Sequence, residues 1–365
     1  MENKNKNVLI TGAAGFIGSN VLRYLALKYK EYDFINYDAL TYAGNLDNLN
    51  DIVLLANYRF VHGDIRDPEK LDKLFKDFEI TDVIHFAAES HVDRSMVNPT
   101  VFVETNVIGT VNLLNAARKA WKDDNKQHIF LNMATDEIFG ALSNDDKPFD
   151  ENTPFDPHSP YSTSKTAAAM FGKTYFEAYG LPVINLACGN AIGPKQFPEK
   201  LVPLTIDRIV NREKIPIYGE GKQKRDWTNV NDIATAVDLL IHSGTPGELY
   251  CIGGDACTEN IQIVKEICYA YAWQTCEGDE AEKNTLAESL FEELVEFIPD
   301  PRGKSHDFRY DINHNKITKE LGWTPKYTFK QSVSETVKWY LENQEWVTNV
   351  KTGEYVNWMK TYYKE

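Results

Sequence analysis

At 365 residues the chain is longer than one hydrophobic core normally spans, so a large α/β unit with a smaller companion is expected. Its net charge of −15 argues against a nucleic-acid backbone as partner. No apolar run approaches the roughly 20 residues of a membrane span, and the polar start MENKNKN has no signal-peptide pattern, so no membrane partner and a cytoplasmic location are expected.

Residues 7–11, NVLIT, read as a short buried strand, and GAAGFIGS follows as a turn opening onto the amphipathic run NVLRYLALKY. Gly12, Gly15 and Gly18 fit the GxxGxxG form of the dinucleotide fingerprint, which allows a tight turn and close approach of backbone to a pyrophosphate at a helix N-terminus. The next strand-like run, DFINYDAL, carries Asp38, 20 residues past Gly18. A carboxylate there binds an adenosine ribose 2′-hydroxyl and repels a 2′-phosphate, which predicts NAD rather than NADP. YRFVHGDIRD sets Asp64 and Ile65 at an adenine position. TDVIHFAAES reads as a buried strand ending in small residues, where backbone can pass close to the ribose next to nicotinamide. Four strands separated by helix-like stretches predict a doubly wound parallel sheet of Rossmann type.

ETNVIGTVNLLNAARKA has a helical pattern. HIFLNMATDEIFG is a fifth strand with Thr135, Asp136 and Glu137 at its carboxyl end, where ligands bind in open α/β sheets. Residues 142–160, rich in Pro, Asp and Asn, predict a loop across the mouth of the site. Tyr161 and Lys165 then fall four apart on a predicted helix, so the ammonium is expected near the phenol, favouring its charged form. LPVINLA is a sixth strand, and past it the chain is expected to change domain. The predicted division is 1–187 for the dinucleotide domain, to which about 226–256 returns, with 188–225 and 257–365 forming a smaller α/β substrate domain. Residues 277–297 carry eight acidic residues and one Lys, −7 of the −15, and read as a solvated helix face or loop. The five cysteines, Cys188, Cys251, Cys257, Cys268 and Cys276, include no CxxC pair; buried free thiols and no metal site are expected.

The segments TGAAGFIGS, YDALTYAGNL, HFAAESHVDRS, TNVIGT, ATDEIFG, SPYSTSK, FPEKLVPL and LGWTPKYTF together resemble the dTDP-glucose 4,6-dehydratase family, nucleotide-sugar dehydratases of the extended short-chain dehydrogenase/reductase superfamily. The resemblance runs from about residue 7 to 347. Tyr-x-x-x-Lys marks the superfamily, whereas the adjacent Thr-Asp-Glu is the family's own signature, which related 4-epimerases lack. It implies an internal redox cycle on a hexose carried by a nucleoside diphosphate. Tyr161, with Lys165 and Thr135, would take the 4-hydroxyl proton as the C4 hydride leaves to NAD. Glu137 would take the acidified C5 proton while Asp136 protonates the departing 6-hydroxyl. Hydride returned to C6 would give the 4-keto-6-deoxy sugar. Two carboxyl groups in opposite protonation states are what loss of water requires.

By the same resemblance, Phe16, Ile17, Leu40, Thr41, Ala87 and Thr105 join Gly12, Gly15, Gly18, Asp38, Asp64 and Ile65 at the cofactor, with Tyr161 and Lys165 at the nicotinamide ribose. Ser90, Thr135, Asn190, Lys200, Leu201, Pro216, Tyr218, Arg225, Asn260 and His306 are implied for the substrate, and a homodimer for the assembly. The chain departs from the family's usual wording at Ala191, where an asparagine is expected, at Ile192 and Lys195, where tyrosines are, and by two residues added before His306. Alternatives within the same fold are a UDP- or CDP-glucose 4,6-dehydratase and a nucleotide-sugar 4-epimerase; outside enzymes, a regulatory protein that binds NAD or a nucleotide sugar without turnover.

Overall fold

The computed structural model describes residues 6–123, 126–303 and 306–351; the tips of the two expected domains, 1–5 and 352–365, and the added residues 304 and 305 lie outside them. Continuous rather than alternating apolar runs mark strands covered on both faces. β1 (Asn7–Thr11) shows the result: Val8 and Ile10 enter one core layer and Leu9 the other. Each such fully buried side chain contributes about 1.5–3 kcal/mol relative to exposure. The glycine turn leads to α1 (Phe16–Lys28), followed by β2 (Asp33–Asp38), β3 (Tyr58–His62), α2 (Pro68–Asp77) and β4 (Asp82–His85). Helices α3 (Val92–Val97) and α4 (Pro99–Phe102) run into a π-helical turn over Val103–Gly109, and α5 (Thr110–Trp121) continues it to β5 (Ile129–Met133).

α6 (Pro160–Tyr179) has strong punctuation at both ends. Ser159 and Ser162 form a capping box, Pro160 takes the first helical position, and Gly180 closes the helix at φ 68°. β6 (Val183–Cys188) completes the predicted six strands. The chain then leaves the sheet through β7 (Asn190–Ile192), α7 (Leu201–Asn211), β8 (Ile215–Tyr218) and β9 (Lys224–Asn229). It comes back with α8 (Val230–Ser243), whose Ile233, Val237 and Leu240 pack with Val21, Leu22 and Leu25 of α1 in one core, and with β10 (Leu249–Ile252), a seventh strand paired parallel to β6. The strand order is β10-β6-β5-β4-β1-β2-β3, parallel throughout, a doubly wound sheet whose order reverses between β1 and β4.

A second core gathers Ile206 and Ile209 of α7, Ile215, Ile217 and Trp227 with residues of helices that follow β11 (Cys257–Glu259). After β11 come α9 (Asn260–Thr275) and α10 (Glu280–Leu294), then, after β12 (Val295–Ile298), α11 (Asn315–Leu321), α12 (Phe329–Glu342) and α13 (Gln344–Val350), and of these all but α11 supply that core. α10 is the acidic stretch: Asp279 and Glu282 cap it reciprocally, Ala287, Leu290 and Leu294 are its buried face, and its carboxylates stand mostly on the solvent side. Ile317 and Trp323 pack in the first core, so the C-terminal segment touches both. Among the described residues no helix is long and apolar enough to cross a membrane.

Candidate active site

The carboxyl ends of β1, β4 and β5 frame one cleft at the point where the strand order reverses. Gly12 holds φ 71°, and a Cβ there would stand 2.5 Å from the Ala87 nitrogen; one at Gly18 would stand 2.4 Å from the Gly12 carbonyl oxygen. Only glycine fits either place, so the turn lies flat against the end of β4. α1 begins at Gly15 with no side-chain cap and no acidic residue in its first turn, leaving its N-terminal amides and dipole to an anion. The Asp38 carboxylate accepts from the Ala14 amide at 2.9 Å and the Leu40 amide at 2.8 Å, which fixes it in the cleft wall. These features fit a dinucleotide with a free ribose 2′-hydroxyl.

Gly12, Gly15, Phe16, Ile17, Gly18, Asp38, Thr41, Asp64, Ile65, Ala87, Thr105, Tyr161 and Lys165 all line this cleft. Leu40 does not: its backbone turns left-handed at φ 51° and it contributes its amide to Asp38. The departures from the family pattern separate here. Ala191 lines the cleft, Ile192 is buried in the second core, and Lys195 sends its ammonium 2.6 Å from the Asn48 carbonyl oxygen.

At the end of β5, Thr135 caps a short 3-10 turn, its hydroxyl accepting from the Glu137 amide at 3.3 Å and lying 3.2 Å from Asp136 Oδ1. Asp136 is 1 % exposed, and its Oδ2 has no hydrogen-bond partner. Burial, reinforced by the neighbouring Glu137 charge, pushes its carboxyl well above the usual range. Burial also raises Glu137, but Arg225, Arg302 and Lys200 pull it back. Tyr161 and Lys165 follow one helical turn apart on α6. The Tyr161 phenol is not lowered as the sequence suggests: burial raises it, the Glu137 and Asp136 charges add to that, and the hydrogen bond with Thr135 only partly offsets them. Lys165 is itself lowered by burial to about 8. It makes no hydrogen bond to the described protein groups, a buried donor aimed at the cleft that suits ribose hydroxyls.

A second cavity opens from the first. Glu137, Asn190, Gln196, Glu199 and Lys200 line both, so Glu137 stands at their junction, with Asp136 on the first side of it. Of the expected substrate residues, Leu201, Pro216, Tyr218, Arg225, Asn260 and His306 join Asn190 and Lys200 in the second cavity, while Ser90 and Thr135 face the first. Arg225 is 5 % exposed and bound to backbone, with Nη1 2.6 Å from the Lys224 oxygen and Nη2 3.0 Å from the Asp307 oxygen. The predicted loop 142–160 lines neither cavity. Arg309 explains this, because its Nη1 donates to the Ser143 and Asp146 carbonyl oxygens at 2.9 Å each and pins the loop to the 309–312 segment.

Sequence reasoning missed Arg302 and Asp93. Asp93, 1 % exposed, is ion-paired with Arg302 and accepts from the Tyr218 hydroxyl at 3.2 Å, and both line the second cavity. The available signals were slight: Asp93 lies inside HFAAESHVDRS, and Arg302 stands alone in a loop between Pro301 and Gly303. His306 meets Tyr218 edge to face at 6.1 Å and is paired with Asp300.

The family model described as GDP-mannose 4,6 dehydratase matches residues 9–336. A dTDP-glucose 4,6-dehydratase of Salmonella typhimurium is 40% identical over 98% of this chain and 99% of its own length. Among solved structures, the dTDP-glucose 4,6-dehydratase of Bacillus anthracis in complex with NAD superposes with a TM-score of 0.81 at 39% identity, covering 95% of this chain and 100% of that one. The Streptomyces venezuelae dTDP-glucose 4,6-dehydratase, also with NAD bound, gives 0.83 at 35% identity, covering 94% and 100%.

Proposed function

Since the chain belongs to the dTDP-glucose 4,6-dehydratase family, we propose that it is an NAD-dependent hydro-lyase converting a nucleotide-linked hexose, dTDP-glucose in the first instance, to the 4-keto-6-deoxy sugar. One observation carries the reading: Glu137 stands where the dinucleotide cleft and the cavity holding Arg225, Lys200 and Tyr218 meet, with Asp136 and Tyr161 beside it. NAD, when bound, would supply the hydride acceptor at C4 and the hydride donor at C6. Gly12, Gly18, the start of α1 and Asp38 would hold its pyrophosphate and ribose, and Lys165 its second ribose.

Tyr161 would take the proton of the sugar 4-hydroxyl as phenolate, a form that burial disfavours and that the Thr135 hydrogen bond and the Lys165 charge favour. The 4-ketone acidifies C5, and Glu137 removes that proton, its carboxylate favoured by Arg225, Arg302 and Lys200. Asp136, kept protonated by burial, gives its proton to the leaving 6-hydroxyl, so one water departs and the C5–C6 double bond forms. Glu137 would give a proton back to C5 as C6 receives hydride, and loss of the Tyr161 proton to solvent with reprotonation of Asp136 would restore the starting state.

The division of the chain is part of the same reading. Residues 1–187 with the returning 226–256 hold the cofactor, and 188–225 with 257–365 hold the nucleotide sugar. A homodimer is supported by apolar side chains exposed on neighbouring helical stretches, Met96, Val97, Val103 and Ile108 on one and Met170 and Phe171 on α6. Free cysteines support a cytoplasmic location.

Incubation with dTDP-, UDP- and CDP-glucose and GDP-mannose in deuterated water tests the proposal. The expected product from dTDP-glucose is a 4-keto-6-deoxy sugar carrying deuterium at C5. No such product from any of the four would overturn it.

A further inference from the structure

The start of the catalytic helix is tied to the far wall of the second cavity by a chain of polar contacts that includes no cavity-lining group until its end. His158 immediately precedes the Ser159 cap of α6, and Tyr161 follows three residues later. Its Nδ1 lies 2.7 Å from Asp307 Oδ1. The other carboxylate oxygen, Oδ2, accepts from the Tyr310 hydroxyl at 2.7 Å, so both oxygens of Asp307 are engaged. Asp307 therefore offers Arg225 only its carbonyl oxygen, 3.0 Å from Nη2, while the Phe308 oxygen lies 3.4 Å from Nη1. The Arg225 guanidinium lies over the Tyr310 ring, 4.2 Å from its centroid.

Charge makes the arrangement informative. Asp307 and Arg225 are 6 % and 5 % exposed, and two opposite charges this close and this buried would normally pair directly. Instead the carboxylate is spent on His158 and Tyr310, and the guanidinium is held by neutral carbonyls and an aromatic face. Arg225 is thus fixed in place with its charge still available to an anionic group in the cavity.

We propose that His158 is a positioning residue for the substrate: by holding the Asp307 carboxylate, it sets the Tyr310–Arg225 wall of the second cavity and registers that wall against the helix carrying Tyr161. This rests on the reading of that cavity as the nucleotide-sugar site. Two carboxyl groups face His158, Asp307 from the 306–310 segment and Asp156, 3.4 Å from Nε2, in its own loop. The Asp307 hydrogen bond, seconded by Asp156, raises the imidazole above its ordinary value. A raised value means that the pair is complete at low pH and weakens as pH rises through the His158 titration.

Steady-state kinetics with dTDP-glucose from pH 6 to 9 and an NMR titration of the His158 imidazole test this together. His158→Ala is expected to raise KM about fivefold to tenfold with kcat within about twofold, and with NAD affinity unchanged. His158→Asn keeps an N–H near the Nδ1 position, so KM should return towards the wild-type value while the alkaline rise in KM disappears. An unchanged KM in His158→Ala, an alkaline rise that persists in His158→Asn, or an imidazole titrating at or below about 6.5 would each overturn the assignment. If the wild-type chain turned over no nucleotide sugar, the dehydratase reading would fail alone, because the imidazole titration needs no substrate.

Discussion

Asp136 and Glu137 are consecutive residues in unlike fields: the first is sealed in the protein with an unpartnered carboxyl oxygen, and the second faces Arg225, Arg302 and Lys200. Neighbours of one kind at one site therefore differ in their readiness to hold a proton. Asp136→Asn and Glu137→Gln should each lower kcat for dehydration by about a hundredfold or more. Both should still oxidise C4, seen as a transient at the absorbance of reduced NAD. Only Glu137→Gln should also lose deuterium exchange at C5. Full turnover in Glu137→Gln would instead favour a 4-epimerase.

Lys165 gives a pH dependence in binding. Burial lowers its ammonium from the ordinary 10.5 to about 8, so the charge is present below that pH and lost above it. NAD affinity, measured by calorimetry from pH 6.5 to 9.5, should be flat on the acid side and fall above about 8. Lys165→Gln should bind more weakly throughout and show no such step.

Asp238 gives one in stability. Burial alone would raise its carboxyl, but hydrogen bonds with His242, Lys28 and Tyr29 outweigh burial and hold it at about 2. Against an ordinary carboxylate near 3.8, the folded value is depressed, so the contribution is whole above about 4 and vanishes as pH falls towards 2. Asp238→Asn should cost about 2 kcal/mol at pH 7 in urea unfolding, and the difference from wild type should close across that interval.

Gly12→Ala strikes the cofactor turn directly. Its φ of 71° and a Cβ 2.5 Å from the Ala87 nitrogen force β1 and β4 apart at their carboxyl ends. The expected result is a loss of NAD affinity of more than about tenfold with a lower thermal midpoint. Binding at wild-type strength would show that the turn can shift without cost.

Six of the seven strands were legible, several because buried parallel strands carry unbroken apolar runs, as in NVLIT and LPVINLA, and β3 from the alternating run YRFVH. β10 was not, since LYCI is four residues long and sits between glycines at 247 and 253–254; only its pairing with β6 makes it a strand. The π-helical turn at Val103–Gly109 likewise has no periodicity that separates it from an α-helix. At the site, motif residues were readable because their spacing is local. Arg302 and Asp93 meet across more than two hundred residues of chain, and no local pattern announces such a pair. The Tyr161 phenol was misjudged for a related reason: helical spacing places Lys165 near it but says nothing of the carboxyls that β5 brings alongside.

The late arrival of β10 has a consequence for synthesis. During translation β6 is made long before its outer neighbour, and between residues 188 and 249 the ribosome is delivering the excursion through β7, α7, β8 and β9. For that interval the sheet has a bare edge of unpaired backbone amides and carbonyls, and α1 lacks the apolar cover that α8 brings. A nascent or truncated chain ending near Cys188 would present both at once, inviting association with other chains. The molecule closes its own edge only once the chain has been made as far as Ile252.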